Sequence, residues 1–195
     1  MANEVTNNIT IHFNDPETGK KASDLFDWIT ENENFVVPQM FPDKPSDDLI
    51  DRTWMEENVG AKWARLGDEI EIARSDDGNY YDAHMNVGTA WSALTPWVER
   101  LVEYLESGFT LTHTYVDESL MFVGSNVWED TDLIYSFEDL EFYTTTLPKE
   151  ASRRAKAEGK LLENMSESET DEWQWDWMWD FVYDTVEPPE EVYSP

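Results

Sequence analysis

Five short stretches of the chain have the residues typical of β-strands, and the alternation of apolar and polar positions is clearest in the first. In residues 5–13 (VTNNITIHF) the apolar side chains fall on odd-numbered positions. Successive side chains of a strand point to opposite faces, so one face is expected to be buried and the other to face water. The other predicted strands are 68–74, 80–88, 109–116 and 120–126. Asp76-Asp77-Gly78-Asn79 indicates a tight hairpin turn between the second strand and the third.

Three helices are predicted among these strands. One is capped by Ser23 and runs to about Asn32, one is capped by Ser46 and ends near Gly60, and one runs from Thr95 to the residues before Gly108. The third is the clearest, because Pro96 occupies the first helical position, where no backbone N–H is needed. The order strand, helix, strand, strand, helix, strand, followed by one extra strand, predicts an α+β fold. Its plan is a ferredoxin-like split βαβ, with an antiparallel sheet and helices on one face.

The same region resembles a known family. The residues that carry the resemblance are Trp54, Asn58, Gly60, Lys62, Trp63, Thr89, Ala90, Trp91, Ser92, Pro96, Phe122 and Gly124. In this pattern, over roughly residues 3–130, the chain resembles the Api-type phage and prophage proteins with a ferredoxin-like domain. It departs from the family where residues 93–95 separate TAWS from the proline, and where Ala61 replaces the usual threonine. The resemblance implies a ferredoxin-like fold and a phage origin, and it implies no activity.

The composition changes near residue 148. Residues 148–164 are helical in composition and hold five of the 13 basic residues, whereas residues 161–195 hold 11 acids and no base. Residues 127–147 mix aromatic and acidic residues and predict more strand or a hairpin. We therefore expect a ferredoxin-like α+β domain over residues 1–147, and a helical, acidic, Trp-rich C-terminal extension over residues 148–195.

The most unusual segment of the extension is 172–184 (EWQWDWMWDFVYD). Its aromatic residues occupy every second position, which fits a strand with an aromatic face. It also fits a helix, in which Glu172, Asp176, Asp180 and Asp184 form one acidic row. The preceding SESETD is typical of a helix N-terminus and favours the helix. The aromatic residues then cover the back of the sheet, which is the commoner role, or they form a surface for a partner or for self-association.

Charge limits the classes of function more than any motif does. The formal net charge is −30 over 195 residues, which disfavours nucleic acid or an anionic membrane as a direct ligand and favours a basic partner, a divalent cation or high salt. Evenly spread, the net charges would lie about 18 Å apart, beyond the screening length of about 8 Å, so they can form a recognition surface only where they cluster. The sequence has no cysteine and no apolar run long enough for a membrane span, and its first residues predict no signal peptide. The expected location is the cytoplasm of a bacterial host.

No catalytic or cofactor motif is present, so we expect no enzyme activity, no cofactor and no metal site. His12, His84 and His113 lie on separate predicted strands without the spacing of metal ligands. The turn around Gly78 lacks the spacing of a calcium loop.

The leading hypothesis is a phage-encoded inhibitor that mimics the charge of DNA. It would occupy the basic cleft of a host DNA- or RNA-binding protein or nuclease that takes part in anti-phage defence. The alternative is a structural module that forms homo-oligomers and whose acidity serves solubility, while adaptation to high salt and an enzyme rank lower. The candidate partner-binding residues are Asp47, Asp48, Asp51, Glu56, Glu57, Asp68, Glu69, Glu71, Asp171, Glu172, Trp173, Asp176, Trp177, Asp180 and Asp184.

Overall fold

The centre of the molecule is an antiparallel sheet of seven strands, as seen in a computed structural model that describes residues 3–193 apart from the side chains of Glu163 and Glu167. The strands are β1 (Glu4–Phe13), β2 (Ala64–Leu66), β3 (Glu71–Arg74), β4 (Tyr80–Ala90), β5 (Phe109–Asp117), β6 (Val123–Glu129) and β7 (Asp132–Asp139). They lie in the order β2-β4-β1-β5-β6-β7, and β3 also pairs with β4. The predicted class, a mixture of helices and an antiparallel sheet, is confirmed.

Five α-helices surround the sheet within the described residues. They are α1 (Pro16–Asn32), α2 (Arg52–Asn58), α3 (Thr95–Leu105), α4 (Leu147–Glu158) and α5 (Glu167–Val186). A π-helical turn (Phe142–Thr146) precedes α4, and single 3-10 turns lie at Asp47–Leu49, Leu162–Asn164 and Glu190–Tyr193. Segment 172–184 is therefore helical, and the strand interpretation of it is wrong. Residues 127–147 form the end of β6, β7 and the π-helical turn.

The first helix begins earlier than predicted. Asp15 is its N-cap, with a carboxylate oxygen that accepts a hydrogen bond from the backbone N–H of Thr18 at 3.0 Å, and Pro16 follows at the first helical position. A proline there leaves no hydrogen bond unmade, so it begins this helix instead of interrupting the chain. Ser23, the predicted cap, is buried in the middle of α1.

The second helix also has a different cap. Ser46 precedes only a 3-10 turn and makes no capping bond with its side chain. Asp51 caps α2, because its carboxylate accepts the backbone N–H of Trp54 at 2.9 Å. Gly60 follows α2 with φ +96°, and a Cβ there would lie 2.6 Å from Cδ of Pro96. Glycine at this position therefore allows α2 to end against the start of α3, as the sequence predicts.

One face of the sheet carries the larger core. The odd-numbered apolar residues of β1 pack there with α1 and α3, and Trp97 and Phe26 are among the largest side chains that are fully buried. The indole N–H of Trp97 in α3 donates to the carbonyl of Phe35 at 2.8 Å, which fixes the ring against the loop that follows α1. Phe35, Val36 and Val37 of that loop are buried as well.

A second core covers the opposite face. Val116 and Val123 are paired in the register of β5 and β6, and they point away from Leu111, which belongs to the first core. They pack against α4 and α5, including Trp173 and Trp177. The prediction that helices occupy one face therefore describes α1 and α3 but not the whole chain. None of the helices in residues 3–193 combines the length and the apolarity needed to cross a membrane.

Candidate functional site

The fifth helix is the element that gathers the most acidic candidates, and its start is well fixed. Ser166 and Glu169 form a capping box: the backbone N–H of Glu169 donates to Oγ of Ser166 at 3.3 Å, and the backbone N–H of Ser166 donates to Oε2 of Glu169 at 2.9 Å. The carboxylate of Glu169 accepts hydrogen bonds from the backbone N–H and from the hydroxyl of Ser166, and these bonds hold its pKa below its usual range. The helix then continues for 20 residues to Val186.

The inner face of α5 contains two of the candidate residues. Trp173 is 8% exposed and Trp177 is 6% exposed, and both belong to the second core. The indole N–H of Trp173 donates to Oε2 of Glu158 at 2.9 Å. Their predicted position on a partner surface therefore does not match the structure, whereas the interpretation that tryptophans cover the back of the sheet is confirmed for this pair.

The outer face of α5 carries the remaining candidates of this segment. Every carboxylate in this set is exposed: Asp171, Glu172, Asp176, Asp180 and Asp184. None forms an ion pair with a lysine or arginine among the described side chains. Trp175 is 65% exposed beside them, and its ring centre lies 6.2 Å from that of Trp179. Residues four apart on a helix rise by about 6 Å, so this face is a regular row of carboxylates with an aromatic edge.

The candidates before residue 60 lie around α2, on the side of the first core. Asp51 is used as the cap of α2, Asp47 pairs with Lys44, and Glu56 pairs with Arg52 at 2.7 Å. Asp48 and Glu57 are exposed. Three of these five carboxylates therefore have partners within the protein, which reduces their availability to another molecule.

The candidates Asp68, Glu69 and Glu71 lie at an edge of the sheet. Asp68 and Glu69 are in the link between β2 and β3, and Glu71 begins β3. Strand β3 is separated from β5, on which α5 packs, by β4 and β1. Three strand spacings are about 14 Å, so this edge and the α5 row are separate surfaces. The structure brings the α5 acids together and leaves the other two groups apart from them.

Most positive charges are held against groups of the protein itself. Among the described side chains, lysine and arginine pair with Glu4, Asp24, Asp47, Glu56, Glu106, Glu150 and Glu158. Aromatic rings also cover positive charges, some of which are ion-paired as well. Lys62 and Arg52 both lie over the ring of Trp91, and Arg154 lies 4.7 Å from the ring centre of Trp177. Seven paired carboxylates are few beside the 43 acids of the chain, so most of the acidity is uncompensated.

Two arginines of α4 form a basic cluster that is paired with an acid of the same helix. Arg153 donates to Glu150 through two bonds of 2.6 Å, and Arg154 donates to it at 2.7 Å. These guanidinium groups, Arg153 first, keep the pKa of the Glu150 carboxyl below its usual range. The cluster thus pairs with an acid of α4, and it reaches the C-terminal helix through the stacking of Arg154 on Trp177.

The three histidines do not form a cluster of metal ligands. His12, His84 and His113 lie on β1, β4 and β5, and no group of three or more possible metal ligands occurs in residues 3–193. His113 is fully buried, with Nε2 3.0 Å from Oδ1 of Asn7 and with no partner for Nδ1. Burial lowers the pKa of His113 from 6.5 to about 3. The side chain is a neutral part of the core.

Sequence reasoning missed a cavity on the second face of the sheet, lined by both polar and apolar side chains. Even-numbered residues of β1 and β5 form its floor, and the segment after α5 forms a wall. The volume is about 690 Å³, and the hydroxyl groups of Tyr193 and Thr112 lie 3.0 Å apart beside it. The alternation in β1 and β5 marks these positions as a separate polar face, but nothing local in the sequence indicates what covers it.

Comparison of the chain with family models, with curated proteins and with solved structures returns no match.

Proposed function

We propose that this protein is an acidic, phage-encoded inhibitor that binds a host nucleic-acid-handling protein by imitating the charge of DNA. The observation that carries the proposal is the exposed, unpaired carboxylate row of α5. The partner would be a DNA- or RNA-binding protein or nuclease with a basic cleft, and the row would occupy that cleft in place of phosphates. The phage origin and the host cytoplasm as the place of action rest on the sequence resemblance described above.

The spacing of the charges supports this mode of binding. The row holds five carboxylates between Asp171 and Asp184, and no base occurs in α5. At about 1.5 Å per residue these positions span about 20 Å, or about 4 Å of axis per carboxylate. One strand of duplex DNA carries a phosphate every 3.4 Å or so of axis, and one helical turn is about 34 Å. A rigid helix that presents a similar charge density over more than half of a helical turn is a suitable substitute for part of one strand.

The sheet order also fits the predicted ferredoxin-like plan. Strands β5-β1-β4, with β2 and β3 at the edge, follow the arrangement in which two strand–helix–strand units interleave, and β6 and β7 extend this sheet beyond β5. We propose that residues 1–147 form such a unit, and that residues 148–195 are an extension added to its second face. The extension then supplies the acidic row and the helical side chains that pack against the sheet in the second core.

The test is a pull-down from bacterial lysate with the intact protein, at about 0.1 M and about 0.5 M salt, because screening weakens contacts between charges. The expected result is recovery of a DNA- or RNA-binding protein at low salt, its loss at high salt and its displacement by duplex DNA. A variant with E172Q, D176N, D180N and D184N is expected to lose the partner.

A matched control separates the α5 row from general acidity. A second variant, with D27N, E31Q, E99Q and E103Q on α1 and α3, also loses four of the 30 net negative charges. All four of its positions are exposed and lie away from α5. We expect this variant to keep the partner. Equal loss of binding in both variants would assign the effect to net charge and remove α5 from the site.

Self-association is the second candidate function, and the edge strand β7 favours it. Within the described residues β7 pairs only with β6, and Leu133 and Ile134 are exposed on it. Such an edge can pair with a second copy of the chain. A dimer that persists at about 0.5 M salt and dissociates in an L133K variant would support this function over mimicry, because screening does not weaken apolar contacts.

A further inference from the structure

The cavity on the second face has two kinds of wall. Threonines of neighbouring strands form the floor, with Thr10 of β1 opposite Thr112 of β5 in the register of the sheet. The apolar side consists of Ile134 of β7 together with Val186, Pro188 and Val192 from the end of α5 and the segment after it. A ligand that fits here has a hydrocarbon part and a polar part.

The size of the cavity suits a small organic molecule. Its volume of about 690 Å³ lies within the range of 300–1,000 Å³ or so that is usual for such sites. Tyr183 and Tyr193 also line it, so aromatic rings are available to a flat or positively charged group. The bond between Tyr193 and Thr112 holds one of these rings against the floor.

The charges around the cavity select the sign of the ligand. Two exposed carboxylates line it, Glu129 from the end of β6 and Glu187 from the end of α5. Neither forms an ion pair with a lysine or arginine of the described side chains, and no lysine or arginine lines the cavity. With a net charge of −30 on the chain, phosphates and carboxylates are repelled from this site and cations are attracted to it.

We propose that this cavity binds an organic cation, an alkylamine whose ammonium groups pair with Glu129 and Glu187 while its hydrocarbon part packs on the apolar side. Threonine hydroxyls of the floor accept further N–H bonds from the ammonium group. The site is distinct from the acidic row of α5, and it does not depend on the proposed inhibition.

The test is a titration of the full chain with hexane-1,6-diamine and with the neutral hexane-1,6-diol, at about 0.15 M salt so that contacts with distant acids are screened. Binding is followed by calorimetry and by the methyl NMR signals of labelled threonine. The expected result is that the diamine shifts the methyl signals of Thr110, Thr112 and Thr114 and that the diol does not.

Two double variants with the same loss of charge locate the binding. E129Q/E187Q removes both carboxylates of the cavity and is expected to weaken the diamine by about tenfold, since two exposed ion pairs are lost. E57Q/E69Q removes two exposed carboxylates elsewhere and is expected to change the affinity less than twofold or so. Both pairs of positions are exposed, so neither variant disturbs a core.

A lysine-containing peptide and its norleucine counterpart distinguish a free amine from a protein side chain as the source of the cation. Binding of the free diamine identifies a small amine, whereas binding of the lysine peptide alone identifies a side chain of another protein. Equal binding of diamine and diol, an equal effect of the two double variants, or no binding of either amine source would overturn the proposal.

Discussion

Acid is expected to destabilise this protein through His113, and the size of the effect follows from its burial. The side chain is 0% exposed, its Nδ1 has no partner, and its Nε2–H donates to Oδ1 of Asn7. The amide nitrogen of Asn7 donates to the carbonyls of Val5 and Val87, which fixes its oxygen as the atom that faces His113. An amide oxygen can only accept a hydrogen bond. A second proton on His113 would therefore place a positive charge and an unpaired donor inside the core.

The direction of the pH dependence follows from the two pKa values of His113. In the folded protein burial lowers the pKa from 6.5 to about 3, so the imidazole stays neutral. In the unfolded chain the imidazole binds a proton below about pH 6.5. Between these values the unfolded state holds more protons, so the free energy of unfolding falls as the pH falls. From about pH 7.5 to about pH 5 the loss from this one group is about 2 kcal/mol.

The assay is urea unfolding at constant ionic strength, followed by the fluorescence of the 10 tryptophans. In His113→Gln an amide replaces the imidazole and can still donate to Asn7, so we expect this variant to lose about 2 kcal/mol less than wild type over the same pH interval. Carboxylates titrate in both proteins and cancel in the comparison. His84→Gln removes an exposed histidine whose ring contacts a threonine and no carboxylate among the described groups, and this variant is expected to behave as wild type. An equal loss in His113→Gln and wild type would refute the reasoning.

Three further predictions concern stability. Trp177→Ala is expected to lower the free energy of unfolding by about 3–5 kcal/mol, because the ring fills the second core. Trp175→Ala, on the exposed face, is expected to change it by less than about 0.5 kcal/mol. Equal losses of the two variants in urea unfolding would contradict this assignment of faces. Gly60→Ala is expected to destabilise more than Gly78→Ala. Both positions have positive φ, but only at Gly60 would the added Cβ meet Pro96 in the first turn of α3. The difference in thermal midpoint between the two variants measures this contact. Ser166→Ala removes the capping box and is expected to cost about 1 kcal/mol, with Ser166→Asp retaining most of the stability.

Local patterns predict the parts of this fold that are decided locally. The odd-numbered apolar positions of β1 predict both the strand and its buried face, because positions two apart share one face of a strand but lie on nearly opposite sides of a helix. Pro96 and Gly60 predict helix boundaries for similar reasons. Asp15 and Pro16 carry an equally local signal for the start of α1, because an aspartate followed by a proline is typical of a helix N-terminus, whereas the prediction places the cap at Ser23. Strand β2, with three residues, is too short to produce a pattern.

The orientation of α5 could not be predicted, and the reason is geometric. Tryptophans at every second position turn by about 200° per step on a helix, so they form two rows on nearly opposite sides. One row contains Trp173 and Trp177, and the other contains Trp175 and Trp179. The two rows are alike in sequence. Contacts with α4 and with the distant β5 and β6 decide which row is buried, as they also create the cavity.

The bond between Tyr193 and Thr112 joins residues 81 positions apart, and this separation affects how the protein is made. On the ribosome, β1 to β6 have been synthesised once residue 129 is added, but the helices that cover Val116 and Val123 are still to follow. At about 5–20 residues per second, the remaining stretch to Tyr193 takes roughly 3–13 s. During that interval the second face of the sheet exposes its apolar side chains, so the nascent chain is open to chaperones and to premature contact with its neighbours on the same messenger RNA.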